Sequence, residues 1–363
     1  MKILMVIGKI NRSGASKVIC WLANKLVNKY SKVSILTFME SKDSYYLCDN
    51  IERIKVCKNT SSRIYRVFNA IYVIHNLIIK EKYNIVITFL PLESLIGVLA
   101  SWCTGAKVIV CERSDPYLEK TTVSVISRFF YRFANGAVFQ SLEAREYFTD
   151  NLKKKSIVIE NPVVKPQVPF IPYEERKNEI VSSGRLFIRQ KRQDILLKAF
   201  AIVSAKNSNI KLKIIGNGPD RIQLEKLSKK LKIEDRVLFI ENIDHVEDEL
   251  KTAKLFVFTS DYEGMPNSIL EALSMGVPVI TTDYSPGGAK KLIEDKNRGI
   301  VVPRKDIDRL AYAIIELLSD DRKLKNMSET AKSICQEYSE TIVYKKWINY
   351  IENISNELTR EKN

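Results

Sequence analysis

Short apolar runs rich in β-branched residues alternate with longer segments of helical spacing along nearly the whole chain, and this alternation is the strongest constraint on its fold. Strands buried on both faces read as continuous apolar runs, whereas helices repeat their apolar residues every three or four positions. In the first half, strands are expected at Lys2 to Ile7, Val33 to Phe38, Ile85 to Phe89, Lys107 to Cys111, Ala137 to Phe139 and Ile157 to Ile159. Helices are expected at Ala15 to Tyr30, Ser61 to Lys80, Leu92 to Trp102, Val123 to Ala134 and Leu142 to Asn151. Strands separated by helices imply a parallel, doubly wound α/β sheet.

The segment Asn161 to Asn178 is rich in proline and charge and lacks periodicity, so it reads as an interdomain linker. The scheme then repeats. Strands are expected at Glu179 to Ser183, Lys211 to Ile215, Val237 to Phe239 and Leu255 to Phe258, and helices at Arg192 to Ala205, Pro219 to Leu231 and Ser268 to Met275. The segments Val277 to Thr281, Lys290 to Ile293 and Gly299 to Val302 follow, then helices near Ile307 to Leu318 and Asp321 to Tyr338. Two Rossmann-like halves place ligands between facing strand ends. Expected domains are 1–165 and 166–345, with a terminal helix, 346–363, that crosses back to the first domain.

The most informative motif is Asp261 to Leu273, set between the strand Leu255 to Phe258 and the run Gly276-Val277-Pro278-Val279-Ile280. It puts Glu263 in a loop and Glu271 about two turns inside a helix. A helix start presents unpaired N–H groups and the positive end of its dipole, so Met265, Pro266, Asn267, Ser268 and Ile269 form a candidate cradle for phosphate. Directly after the first strand of the second half, Gly184-Arg185-Leu186 and Lys191 set two cations where a doubly wound sheet binds its ligand. A guanidinium can grip phosphate oxygens in pairs, and an ammonium adds a compact charge. Gly216 and Gly218 form a turn that is either structural or placed against a nucleotide base. In the first half, Gly14 between the first strand and first helix permits close approach of a diphosphate or sugar.

The run E-G-M-P-N-S-I-L-E-A-L-S-M-G-V-P-V-I resembles the signature of the family 4 glycosyltransferases, retaining enzymes of the GT-B fold. The resemblance implies two Rossmann-like doubly wound domains facing a central cleft, the first for acceptor and the second for nucleotide sugar. It implies transfer of a hexose or N-acetylhexosamine, with anomeric configuration retained, from a nucleotide-diphosphate sugar, UDP-linked by expectation, to a saccharide or lipid-linked saccharide acceptor. Arg185 and Lys191 match the positions that hold the donor diphosphate, and with Glu263 they are the implied catalytic residues. Glu271 would hold the ribose. The run Asp283-Tyr284-Ser285-Pro286-Gly287-Gly288-Ala289 is similar to enzymes of bacterial surface polysaccharide assembly.

The first half departs from that pattern. Many relatives carry a histidine after the strand Lys107 to Cys111, but this chain has Glu112-Arg113-Ser114-Asp115-Pro116, and its two histidines, His75 and His245, lie elsewhere. By resemblance to an E-R-N-x-P variant, Arg113 is expected on acceptor phosphate and Glu112 on sugar hydroxyls. Alternatively the two cap their loop as an ion pair. The Arg185/Lys191 pair can neutralise the leaving group, so neither a metal nor another cofactor is expected beyond the donor itself. A sugar-nucleotide epimerase of the same architecture and a non-catalytic sugar-nucleotide-binding protein remain alternatives.

The formal charge of +15 sits mainly in the first half, where residues 1–165 hold 25 Lys and Arg against 13 Asp and Glu. No nucleic-acid module accompanies this excess. A peripheral contact with an anionic membrane, or an acceptor carrying a diphosphate on a lipid, accounts for it better. The aromatic and basic run Phe129 to Phe133 is expected to face the core rather than a membrane. No apolar run reaches the ~20 residues that span a bilayer, no signal-peptide pattern opens the chain, and the six cysteines are unpaired in spacing. A cytoplasmic protein, active at the inner face of the plasma membrane, is expected.

Overall fold

The computed structural model describes residues 1–39, 45–56, 63–241 and 245–360. The chain divides into two compact units, Met1–Pro162 with Thr341–Asn363, and Val163–Glu340. The changeovers fall a few residues before those expected.

In the first unit, strands β1 Lys2–Ile7, β2 Lys32–Thr37, β3 Glu52–Lys55, β4 Ile85–Phe89, β5 Lys107–Cys111, β6 Gly136–Phe139 and β7 Ser156–Val158 form one sheet in the order β3-β2-β1-β4-β5-β6-β7. Every pairing is parallel. The inner strands are buried throughout, as parallel strands covered on both faces must be. Edge strand β3 was not foreseen, because Glu-Arg-Ile-Lys is largely exposed and carries no apolar pattern. The strand order reverses between β1 and β4, which makes their C-terminal ends the switch point where such folds bind ligands.

The terminal helix, Glu340–Arg360, packs on this unit. Trp347 is fully buried and stacks on Phe89 with ring centroids 6.5 Å apart. Tyr350 Oη accepts from Ala137 N at 2.8 Å, and Gly136 beside it has no room for a Cβ, which would meet Tyr350 Oη at 2.4 Å.

Two helices expected to be continuous are broken. The helix Thr122–Phe130 passes into a 3-10 turn at Tyr131–Phe133, and the next region forms Leu142–Glu146 and Asp150–Lys154, with Thr149 restarting the chain. The expectation that Phe129 to Phe133 face the core holds only for Tyr131, which is fully buried; Phe129 and Phe133 are more than half exposed.

In the second unit, β8 Lys177–Ser183, β9 Lys211–Ile215, β10 Val237–Ile240, β11 Ala253–Phe258, β12 Val279–Thr282 and β13 Gly299–Val302 pair in parallel in the order β10-β9-β8-β11-β12-β13. Its switch point lies between β8 and β11. The expected linker is strapped onto this unit: Val163 N donates to Tyr338 O at 2.8 Å, Tyr173 is buried, and the buried Arg176 donates to the carbonyls of Ala253, Met275 and Gly276. Together with Ile171 O, these make four carbonyl acceptors for a guanidinium that burial would otherwise penalise. The expected helix Asp321 to Tyr338 is divided into Asp321–Ala331 and Ile334–Glu337. Among the described residues no helix is long and apolar enough to cross a membrane.

Candidate functional site

The switch point of the second unit brings together residues that lie far apart in sequence. After β8, Gly184 takes φ +152° and the chain turns through Arg185 into the short helix Ile188–Lys191. After β11, the chain runs from Thr259 to Pro266 before the helix Asn267–Ser274. Lys191 Nζ meets Glu263 Oε1 at 2.5 Å across this junction, with both side chains largely buried. The same oxygen accepts from Ser260 Oγ at 2.5 Å. The ammonium also lies 4.9 Å from the Phe258 ring centroid, within reach of its negative face.

A backbone lattice fixes the two loops. Asp261 N donates to Gln190 O at 2.8 Å, Gln190 Nε2 donates to Tyr262 O at 3.1 Å, and Thr259 Oγ1 reaches Lys191 O at 2.9 Å. From β12, Ser285 O accepts from Glu263 N at 2.9 Å and Thr282 Oγ1 donates to Ser260 O at 2.5 Å. Arg192, in the left-handed region at φ +50°, clamps the base through Asp194 at 3.0 Å and Asp261 at 3.2 Å. Sequence reading missed Ser260, Gln190 and the Arg192 clamp; polar side chains in loops carry no periodicity, and only the strand order makes them neighbours.

Arg185 is exposed, with its guanidinium 5.3 Å from the Phe187 ring and its carbonyl held by Gln193 Nε2 at 2.9 Å. Its charge is thus presented from an anchored backbone. The helix Asn267–Ser274 follows Pro266 without a side-chain cap, and its ladder begins with Ile269 and Leu270 donating to Pro266 O. The uncapped first turn of a helix offers amides and positive potential to an anion. Ile269 is buried, while Met265, Asn267 and Ser268 are half-buried at that end. Glu271 is the fifth helical residue, little more than one turn in rather than the expected two.

Gly216 and Gly218 have a packing reason to be glycine. Gly216 has φ +139°, and a Cβ there would lie 2.0 Å from Gly184 O; one on Gly218 would lie 2.2 Å from Leu186 O. The turn after β9 is therefore pressed backbone to backbone on the Arg185 loop, and Leu186 N donates to Asn217 O at 3.0 Å.

In the first unit the expected acceptor pair separates. Glu112 is buried and bound to Arg128 Nε at 2.8 Å and Ser114 Oγ at 2.7 Å. This corrects the expectation that Glu112 touches sugar hydroxyls, since its oxygens are already committed inside the fold. Arg113 turns the other way. Its guanidinium lies 4.8 Å from the Phe89 ring and 5.8 Å from Trp347, donates to Asn161 Oδ1 at 3.0 Å, and leaves Nε and Nη2 without a protein partner among the described residues. Gly14 is the exposed first residue of the helix Gly14–Leu26, whose start is capped by Ser13 accepting from Ser16 N at 3.3 Å.

One group at this switch point was not foreseen. Glu93, in the first turn of the helix Pro91–Ala100, is buried against Gly8, where a Cβ would come 2.4 Å from Glu93 Oε1. Burial pushes its carboxyl up to about 7 despite hydrogen bonds from the backbone of Glu93 and Gly8. Among the described residues, no group of three or more His, Cys, Asp or Glu could hold a metal ion.

Residues 166–334 match the family model for glycosyl transferases, group 1. Over 365 residues, 98% of this chain and 99% of the relative, the chain is 26% identical to the Campylobacter jejuni GalNAc-alpha-(1->4)-GalNAc-alpha-(1->3)-diNAcBac-PP-undecaprenol alpha-1,4-N-acetyl-D-galactosaminyltransferase. The stretch 166–334, inside the second unit, is a group 1 glycosyltransferase region. A second relative of this chain is the amylovoran biosynthesis glycosyltransferase of Erwinia amylovora, 22% identical over 95% of this chain and 98% of that one. Its fold is GT-B. Staphylococcus aureus TarM, solved in complex with fondaparinux, alpha-GlcNAc-glycerol and UDP, superposes with a TM-score of 0.79 at 14% identity, covering 96% of this chain and 99% of TarM.

Proposed function

We propose that this chain is a glycosyltransferase that moves a hexose or N-acetylhexosamine from a UDP-linked donor to a saccharide or lipid-linked saccharide acceptor in surface polysaccharide assembly, with retention and without a metal. The observation that carries the reading is the meeting of Lys191 and Glu263 at the β8/β11 switch point, beside the exposed Arg185 and the uncapped helix start at Asn267. These groups supply two cations and a row of amides for a diphosphate, as an anionic leaving group requires. The names of the relatives agree in kind: one carries an N-acetylgalactosaminyl transfer to an undecaprenol-linked glycan, and TarM was solved with UDP.

In this reading Arg185 and Lys191 neutralise the diphosphate as the bond from its oxygen to the anomeric carbon breaks. The departing oxygen takes the proton of the acceptor hydroxyl, and the acceptor oxygen bonds to the anomeric carbon on the same face. Ser260 and Lys191 both bind Glu263 Oε1, which orients Oε2 toward donor sugar hydroxyls. Glu271, one turn along the helix, holds the ribose. Arg113, with two donors unmatched by protein, holds acceptor phosphate. Most of the rate comes from positioning and charge neutralisation.

The test is product formation from radiolabelled UDP-sugars, with and without a lipid-linked saccharide, in the wild type and in Arg185→Ala, Lys191→Ala and Glu263→Ala. Acceptor-dependent α-linked product that disappears in folded variants supports the proposal. Near-normal turnover in the variants defeats the site assignment, and an epimerised sugar nucleotide formed without acceptor defeats the transfer reading.

A further inference from the structure

The first unit carries a broad apolar surface that none of its described residues covers. On the helix Arg63–Glu81, Ala70, Ile74 and Ile78 enter the core, while Phe68, Tyr72 and Ile79 are each more than half exposed on the other side. The spacing of four and seven residues keeps these three on one stripe. Trp102, Phe129 and Phe133 are equally exposed.

The two sets are continuous. His75 Nδ1 lies 2.9 Å from Ala100 O, which joins the helix Arg63–Glu81 to the end of the helix Pro91–Ala100. Trp102 follows two residues later and meets the Phe133 ring at 6.2 Å. Phe133 then touches Phe130 at 5.8 Å, and Phe130 touches Phe129 at 5.7 Å. Soluble monomers rarely leave so many large apolar side chains together in water.

The charge around this surface has one sign. Arg66, Lys80, Lys82 and Arg132 are exposed on or beside the same elements, and Arg132 lies over the Phe129 ring at 3.7 Å. Glu81 pairs with Lys32 at 2.8 Å, a cation it shares with Glu52 at 2.9 Å, and residues 120–134 contain no acidic residue. Aromatic rings flanked by long cationic side chains suit the boundary between lipid headgroups and acyl chains, where rings bury their bodies and cations remain at the phosphates.

We propose that this face, formed by the helix Arg63–Glu81, Trp102 and the segment 122–133, is an interfacial docking surface for an anionic lipid bilayer. It holds the protein on the membrane without a spanning segment. The surface goes beyond the transfer reading and can be tested without turnover, so failure here leaves that reading intact.

Trp102 is a built-in reporter, since Trp347 is fully buried and Trp21 is half-buried elsewhere in the unit. The full-length protein is mixed with phosphatidylcholine vesicles with or without phosphatidylglycerol, sedimented, and its fluorescence read with brominated acyl chains. Sedimentation with the anionic vesicles, loss of binding at high salt, and bromolipid quenching that vanishes in Trp102→Phe are expected. The combined variant Phe68→Glu, Tyr72→Glu and Phe129→Glu, checked for folding by circular dichroism, should bind at least tenfold more weakly. Wild-type protein that stays in the supernatant, or that sediments without Trp102 quenching, overturns the proposal. So does light scattering that shows a stable dimer broken by the same three substitutions, which would make a second copy the occupant.

Discussion

The switch points of the two sheets show how one topology can be finished in opposite ways. At β8/β11 the largely buried pair Lys191–Glu263 sits beside the exposed Arg185, all carried on segments locked by backbone hydrogen bonds. On the β1/β4/β5 side, Glu93 is buried against Gly8, Glu112 is buried against Arg128, and Arg113 keeps two donors without a protein partner among the described residues. The two carboxylates of the first unit are committed inside its fold, whereas Glu263 of the second is paired with a cation at the strand ends. Charged residues after a strand of a doubly wound sheet are thus not sites by position alone; the burial of the partner decides.

The sharpest way to break this contrast is to remove one acid from each region. Glu112→Ala should leave Arg128 as a buried, uncompensated cation and cost about 3–5 kcal/mol of stability. Urea unfolding measures this directly. Glu263→Ala or Lys191→Ala should lower transfer by about 10²- to 10³-fold, or ~3–4 kcal/mol in the barrier, while the unfolding midpoint falls by less than in Glu112→Ala, because this pair is less completely buried. If Glu112→Ala instead lost turnover at unchanged stability, the ion pair would belong to the acceptor site after all.

Glu93 sharpens the comparison through pH. Its folded pKa of about 7 lies above the ordinary 4.5 because burial disfavours the charged form. Between those values the folded state binds more protons than the unfolded state, so this group's contribution to stability falls as pH rises through the window. The full penalty above it is roughly 3 kcal/mol. Glu93→Gln should therefore stabilise the protein at pH 8, change little at pH 4, and flatten the dependence of the unfolding midpoint between them. An unchanged slope would show that Glu93 ionises normally and has a cation or solvent that the fold does not display.

The legibility of the sequence followed the same division. Both parallel sheets were readable because their inner strands are continuous apolar runs, and edge strand β3 was missed because its residues are charged and exposed. Arg185, Lys191, Glu263 and Glu271 were named from sequence motifs, and the strand order places the first three near one switch point. Ser260 and Gln190, which orient them, had no pattern to betray them. Glu112 and Arg113, adjacent in sequence, took opposite directions, since neighbours leaving a strand point to opposite sides. Arg128 and Asn161, their partners, are distant in the chain and could not be paired without the fold.

The glycines carry the same contrast at the smallest scale. Gly218→Ala places a methyl carbon 2.2 Å from Leu186 O, a backbone atom that can yield only by moving the Arg185 loop. A cost of about 1–3 kcal/mol is expected, together with weaker donor binding because the loop shifts. Gly14 opens an exposed helix start already capped by Ser13, so Gly14→Ala should change stability by no more than ~0.5 kcal/mol. Any larger change in the Michaelis constant for donor or acceptor would then report contact rather than folding. Equal Michaelis constants in the wild type and Gly14→Ala would remove Gly14 from the site and leave the Gly216–Gly218 turn as the place where glycine is required, for packing.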